Sequence, residues 1–308
     1  MFYFFMKSWV SVAMFFFYRR IVFSSTEEMG EKGPLMIASP HPDSFLDALY
    51  FAARMRNNLH VITRGDVFAK PKIRKLLTKI KLIPIFRIRD GKEKLNMNNE
   101  TADGVVEVLR KDGMVMIFVE GFCNYQTELQ LPLKKGAPRM TLECWKQDID
   151  VRILPVWIRY DSFSDFGKIL TVNFGKPFGR EIIDGITNEA AQILEINKRT
   201  ERDLLQLSAV TLPYKPLPFF VRWLLFPFAM LAKLVHAPLY YPAKNFVKKK
   251  TAGTTHYDSV ILGLLVFTYP VYLLLISLIL WLATGCGYAW LTILAFPLLA
   301  KLYLYWKK

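Results

Sequence analysis

His41 and Asp47 are the residues of this chain best placed to move a proton. They lie in Ser39-Pro-His-Pro-Asp-Ser-Phe-Leu-Asp47, where an apolar run ends, a proline-flanked turn follows and Ser44 opens a helix. A histidine in such a turn can accept a proton from a substrate hydroxyl. Asp47, one helical turn in, can fold back onto the other ring nitrogen, fix the tautomer and stabilise the imidazolium. Acyl transfer to a hydroxyl needs no more than this dyad, because the acceptor alcohol is itself the nucleophile. A blander account competes. Ser44-x-x-Asp47 is also a capping-box variant with Asp at N3, and His41 could simply close the strand end.

Three later segments carry further chemistry. Leu82–Gly91 (LIPIFRIRDG) is an apolar strand running into Arg87, Arg89 and Asp90. Guanidinium forks match phosphate oxygens, although a solvated edge or membrane-surface charge would account for two arginines taken alone. Phe118–Asn124 (FVEGFCN) delivers Glu120 and Gly121 to a loop after a second apolar strand. Ile153–Trp157 (ILPVW) is a third strand with a proline at Pro155. Cys123 has no neighbour in sequence that would lower a thiol pKa and reads as a wall of the loop. His60, His236 and His256 share no ligand-like spacing with one another or with cysteine, so no metal site is expected.

These residues need a frame to hold them. Short buried-type strands at 34–39, 60–63, 82–86, 114–119, 151–159 and 169–174 alternate with helices from Ser44 and over 71–81, 100–110, 136–146 and 189–207. That alternation predicts an α/β domain, a mostly parallel sheet flanked by helices. Loops at the carboxyl ends of such strands are where sites form. The ends of the chain differ from this middle. Met1–Tyr18 is apolar and aromatic, lacks a basic start and a small-residue cleavage site, and suits a membrane-associated helix. Residues 213–250 are aromatic and repeatedly interrupted by proline, which argues against one straight helix and for an interfacial or re-entrant element. Ser259–Leu282 runs about 24 residues without a charge, and Cys286–Leu302 forms a shorter partner. Together they predict a transmembrane hairpin. The domains expected are therefore an N-terminal helix at 1–20, a catalytic domain at 21–212, the proline-rich stretch at 213–250 and the hairpin at 251–308.

Composition narrows the partners. Hydrophobic residues are 53% of the 308, concentrated at the two ends. The net charge of +15 comes from 41 Lys and Arg against 26 Asp and Glu. Without a nucleic-acid motif, and with apolar ends, that charge points to an anionic membrane surface, where each nearby cation is worth about 1 kcal/mol, rather than to nucleic acid. Three scattered cysteines give no disulfide framework and fit a reducing compartment. Lysines at 248–250 and at the C-terminus bracket the hairpin, so both of its ends are expected on the cytoplasmic side of the inner membrane, with the catalytic domain.

Taken in order, the four blocks resemble the glycerophospholipid acyltransferase family, which includes the lysophosphatidic acid acyltransferases. His41 and Asp47 match its first block, with one more intervening residue than is usual. Arg87 matches the second. Phe118-Val-Glu120-Gly121 matches the third, with Phe122, Cys123 and Asn124 in place of the usual Thr and basic residue. Lys134-Lys135-Gly136-Ala137 matches the Lys-Gly-Ala run that follows it, and Pro155-Val156 the fourth. The resemblance implies His41 and Asp47 as catalytic residues, with Arg87, Arg89, Glu120, Gly121, Lys134 and Lys135 around the substrate. It implies no metal or prosthetic group, only acyl-CoA or acyl-carrier protein as co-substrate. The reaction implied is acylation of the free hydroxyl of a membrane lipid acceptor, lysophosphatidic acid (1-acylglycerol 3-phosphate), in phospholipid synthesis. Glycerol 3-phosphate or a lyso-aminolipid are the alternative acceptors. A catalytically degenerate lipid-binding membrane protein is the alternative outside enzymology, fed by the substitution at Phe122-Cys123.

Overall fold

A stretch that hides every side chain can only lie inside a sheet covered on both faces. Leu35–Ser39 is such a stretch: all 5 residues are buried. In chain order the elements are α1 (Phe2–Phe17), β1 (Arg20–Phe23), β2 (Leu35–Ser39), α2 (Phe45–Arg54), β3 (Leu59–Arg64), α3 (Pro71–Lys79), β4 (Leu82–Ile85), α4 (Met97–Arg110), β5 (Met114–Phe118), α5 (Gly136–Lys146), β6 (Arg152–Tyr160), β7 (Ile169–Phe174), α6 (Glu189–Ala209), α7 (Phe219–Lys250), α8 (Tyr257–Thr284) and α9 (Thr292–Trp306). The structure is a computed structural model that describes residues 2–25, 27–55, 59–86, 91, 97–213 and 216–307. The chain divides into two compact units, one of Met1–Ser8, Val22–Arg159 and Thr171–Leu212, the other of Trp9–Ile21, Tyr160–Leu170 and Pro213–Lys308.

The first unit is built on a 7-stranded sheet in the order β1-β7-β6-β2-β5-β3-β4. The pairs β6–β2, β2–β5, β5–β3 and β3–β4 are parallel, as alternating strands and helices require. Ser39 pairs with Phe118, so the loops that follow β2 and β5 leave the sheet side by side. Met36, Val115 and Ile153 enter one buried cluster with Val105 and Leu109 of α4, Cys144 and Trp145 of α5, and Ile196 and Leu204 of α6. The six expected strands and five expected helices are present. The sequence reading missed β1, a four-residue strand on the sheet edge.

Among the described residues, the second unit holds three helices long and apolar enough to cross a membrane: Phe219–Lys250, Tyr257–Thr284 and the segment Gly287–Trp306. A third apolar helix therefore precedes the expected pair. Within residues 213–250, Phe219–Lys250 is one continuous helix with Pro227, Pro238 and Pro242 inside it, so the prolines do not break it as the sequence led us to expect. Each proline forfeits one backbone bond, but unwinding a turn in apolar surroundings would orphan several. α8 ends where expected. Gly285 takes the left-handed conformation at φ 67° and its N–H bonds back to Trp281 O. Lys301 of α9 donates to the carbonyls of Phe15 and Tyr18 at 2.5 and 2.6 Å, a cation on the open end of α1.

Candidate active site

β2 ends at Ser39, and its ladder continues one step further: Val119 N–H donates to Ser39 O at 3.0 Å. The two loops thus start locked together. His41 lies in the first, and Glu120, fully buried, in the second. His41 N–H donates to Glu120 Oε2 at 2.9 Å, and Asn124 N–H returns a bond to His41 O at 3.3 Å. The histidine backbone is therefore held from both sides by the loop after β5.

The side chain is fixed equally well. Nδ1 of His41 lies 2.8 Å from Asp47 Oδ2. The same oxygen accepts from Asp43 N–H at 2.9 Å, so one carboxylate oxygen holds the ring and the turn together. Asp47 is fully buried, whereas the imidazole keeps 19% of its surface exposed. The ring stacks on Phe118, with centroids 3.7 Å apart and planes 9° from parallel. With Nδ1–H given to Asp47, the lone pair sits on Nε2, which makes no hydrogen bond among the described residues.

The geometry at Ser44 and Asp47 bears on both of their readings. Ser44 occupies the N-cap position at φ 50°, its side chain caps nothing, and its N–H goes to Cys123 Sγ at 2.9 Å. The Ser44 half of a capping box does not form. Asp47 serves His41 and Asp43 instead.

Glu120 is the hub of the second loop. Oε1 accepts from Gln126 Nε2 at 2.6 Å and from Gln130 N–H at 2.8 Å, in addition to the His41 bond on Oε2. Burial pushes its carboxyl above the ordinary value, while the N–H groups of Gln130, His41 and Gln126 pull the other way. Gly121 follows at φ 71°, a conformation that costs any other residue more. A Cβ there would meet Lys134 Cγ at 2.8 Å, so the Lys134 side chain lies against this turn. Lys134 N–H donates to Val119 O at 2.8 Å. Lys135 is exposed at the N-cap of α5. Hence His41, Asp47, Glu120, Gly121 and Lys134 come together. Arg87 and Arg89 lie outside the described residues. The residue before them is pinned: Asn98 accepts from Phe86 N–H and donates to Phe86 O, both at 2.8 Å.

A family model described as Acyltransferase matches residues 20–159, which span both loops and the strands that carry them. The match covers 140 of the 308 residues and agrees with the family that the four sequence blocks resemble. No curated protein matches the sequence. Among solved structures the chain is similar to the 1-acyl-sn-glycerophosphate (LPA) acyltransferase PlsC from Thermotoga maritima, with 14% identity and a TM-score of 0.46 over 66% of this chain and 80% of that one.

The matched domain also holds participants that its sequence did not announce. Phe118 matched the third block, yet its stacking on His41 shows only in three dimensions. Gln126 and Gln130 had no signal beyond following Glu120 at short range. Cys123 reads as a wall residue in sequence and proves to accept the Ser44 N–H.

Proposed function

We propose that this acyltransferase moves a fatty acyl group from an acyl-CoA or acyl-carrier-protein thioester to the free hydroxyl of 1-acylglycerol 3-phosphate. The observation that carries the reading is the double acceptance at Asp47 Oδ2, which holds His41 with Nε2 as its basic nitrogen. The acceptor hydroxyl gives its proton to Nε2 while its oxygen attacks the thioester carbonyl. Asp47 stabilises the imidazolium. The tetrahedral adduct collapses, the C–S bond breaks, and the proton on Nε2 passes to the departing thiolate. An ester and a free thiol result, and no further reactant is required.

Arg87, Arg89, Lys134 and Lys135 are assigned to the acceptor phosphate, which their cationic donors suit. Glu120 is a positioning residue in this scheme, since its oxygens are engaged by three N–H groups. The chain associates with a membrane through its long apolar helices, and the domain works on the cytoplasmic side, where the net charge of +15 favours an anionic surface.

The test is an acceptor panel with the purified full-length protein and a radiolabelled acyl thioester. The reading expects 1-acylglycerol 3-phosphate to be acylated well ahead of phosphate-free monoacylglycerol. Faster transfer to glycerol 3-phosphate or to a lyso-aminolipid would move the assignment to that acceptor. Absence of transfer to any of them would overturn it in favour of a lipid-binding protein.

A further inference from the structure

The second unit carries a partly open cavity of about 540 Å³, within the range of roughly 300–1,000 Å³ typical of ligand sites. Every residue that lines it comes from this unit, and none belongs to the His41–Asp47 site. Its wall is largely aliphatic and aromatic, including Phe16, Leu265, Val266, Leu273 and Pro297. The one imidazole in the lining is already occupied. Both nitrogens of the lining His236 are engaged, Nδ1 with Ala232 O at 2.7 Å and Nε2 with the Tyr269 hydroxyl at 2.8 Å.

The charges in the lining favour one kind of occupant. The lining carries three lysines, Lys233, Lys244 and Lys307, and a single carboxylate, Asp165. Lys244 and Lys307 each stand one helical turn beyond a lining tyrosine, Tyr240 and Tyr303. The Lys244 ammonium lies 5.9 Å from the Tyr240 ring centroid. Tyr240 itself packs at 5.6 Å against Phe166, another wall residue. An apolar chamber with ammonium groups beside its aromatic wall suits an amphiphile that carries an anion.

We propose that this cavity is a second, non-catalytic lipid site that takes an acyl chain of a phosphate-bearing lipid, with the phosphate at Lys244 and Lys307. The chain replaces the missing apolar neighbours of the cavity wall. The lysines supply charge-assisted contacts that a neutral lipid cannot return. The site does not depend on the reaction assigned to His41, so the two can fail separately. Two sources share the required chemistry: a single-chain lysophosphatidic acid and a two-chain phosphatidic acid.

The experiment uses the full-length protein in phosphatidylcholine nanodiscs, labelled by a lysophosphatidic acid with a diazirine in its acyl chain. Adducts are mapped by mass spectrometry. Labelling should concentrate on peptides carrying Tyr240, Val266 and Tyr303. Unlabelled lysophosphatidic or phosphatidic acid should compete, and whichever competes better identifies the source. Monoacylglycerol should compete about tenfold less well or worse, the value of one charge-assisted contact. Ala237→Trp, which fills the chamber, should cut labelling several-fold, and Lys244→Gln with Lys307→Gln should erase the preference for phosphate. Competition needs no variant, so it decides the matter even if Ala237→Trp misfolds. Labels spread evenly over the apolar helices and insensitive to any competitor would overturn the site. Equal competition by monoacylglycerol would overturn its anionic character.

Discussion

Glu120 ties two loops to one carboxylate. Replacing it with Gln keeps the shape but turns one acceptor into a donor, facing N–H groups that already point inward. The expected cost is about 1–3 kcal/mol, the usual penalty of a buried polar group left unmet, together with lower turnover as His41 loses its backbone support. The pH dependence has a definite sign. Burial raises the folded pKa of Glu120 above its ordinary 4.5, so the folded state holds the proton longer than the unfolded chain. The resulting contribution to stability is complete below 4.5 and is lost as pH rises through the folded value. Unfolding of wild type and Glu120→Gln, compared from about pH 4 to about pH 8, should show this loss only in wild type. A constant difference across that range would contradict it. At this scale the sequence was legible where residue type alone limits the chemistry. A histidine in the turn before a helix and an aspartate in the first turn of that helix suggest a dyad. The stacking of Phe118 and the closure by Gln126 and Gln130 depend on how two loops meet, which spacing does not encode.

Gly33 sits where β2 starts beside the turn into β5. A Cβ at this position would lie 2.2 Å from Asp112 O and 2.4 Å from Gly113 O, both backbone atoms with nowhere to go. Gly33→Ala should therefore push the strands apart and cost about 1–3 kcal/mol, as overpacking does. Thermal melting of the pair of proteins checks this, and an unchanged midpoint would refute the close approach. The buried strands were legible because runs such as MVMIF leave no polar face to water. β1 was not, since RIVF follows Arg19 and is too short to show a period. The continuity of α7 was not legible for a different reason. Proline counts against a helix by a rule learned in water, and in apolar surroundings the alternative to the helix is worse.

Across the whole chain, one buried ion pair offers a test of how the second unit holds together. Lys168 donates to Asp258, the residue in the first turn of α8, and neither side chain reaches solvent. Removing one partner leaves the opposite charge buried without its counter-ion, so Lys168→Met should cost about 3–5 kcal/mol. Lys168→Met combined with Asp258→Leu should recover most of it, as apolar replacements of buried pairs commonly do. A double variant as unstable as the single one would show that the pair contributes more than mutual neutralisation.

The central claim is that His41, held by Asp47, removes the acceptor proton. Its most direct measurement is the turnover of purified His41→Ala and Asp47→Asn in the full-length protein, with labelled acyl thioester and 1-acylglycerol 3-phosphate. His41→Ala should lose about 10²–10⁴-fold in kcat and Asp47→Asn should fall in the same direction, with melting of the His41 variant close to wild type. Near wild-type turnover by a folded His41→Ala protein would contradict the account.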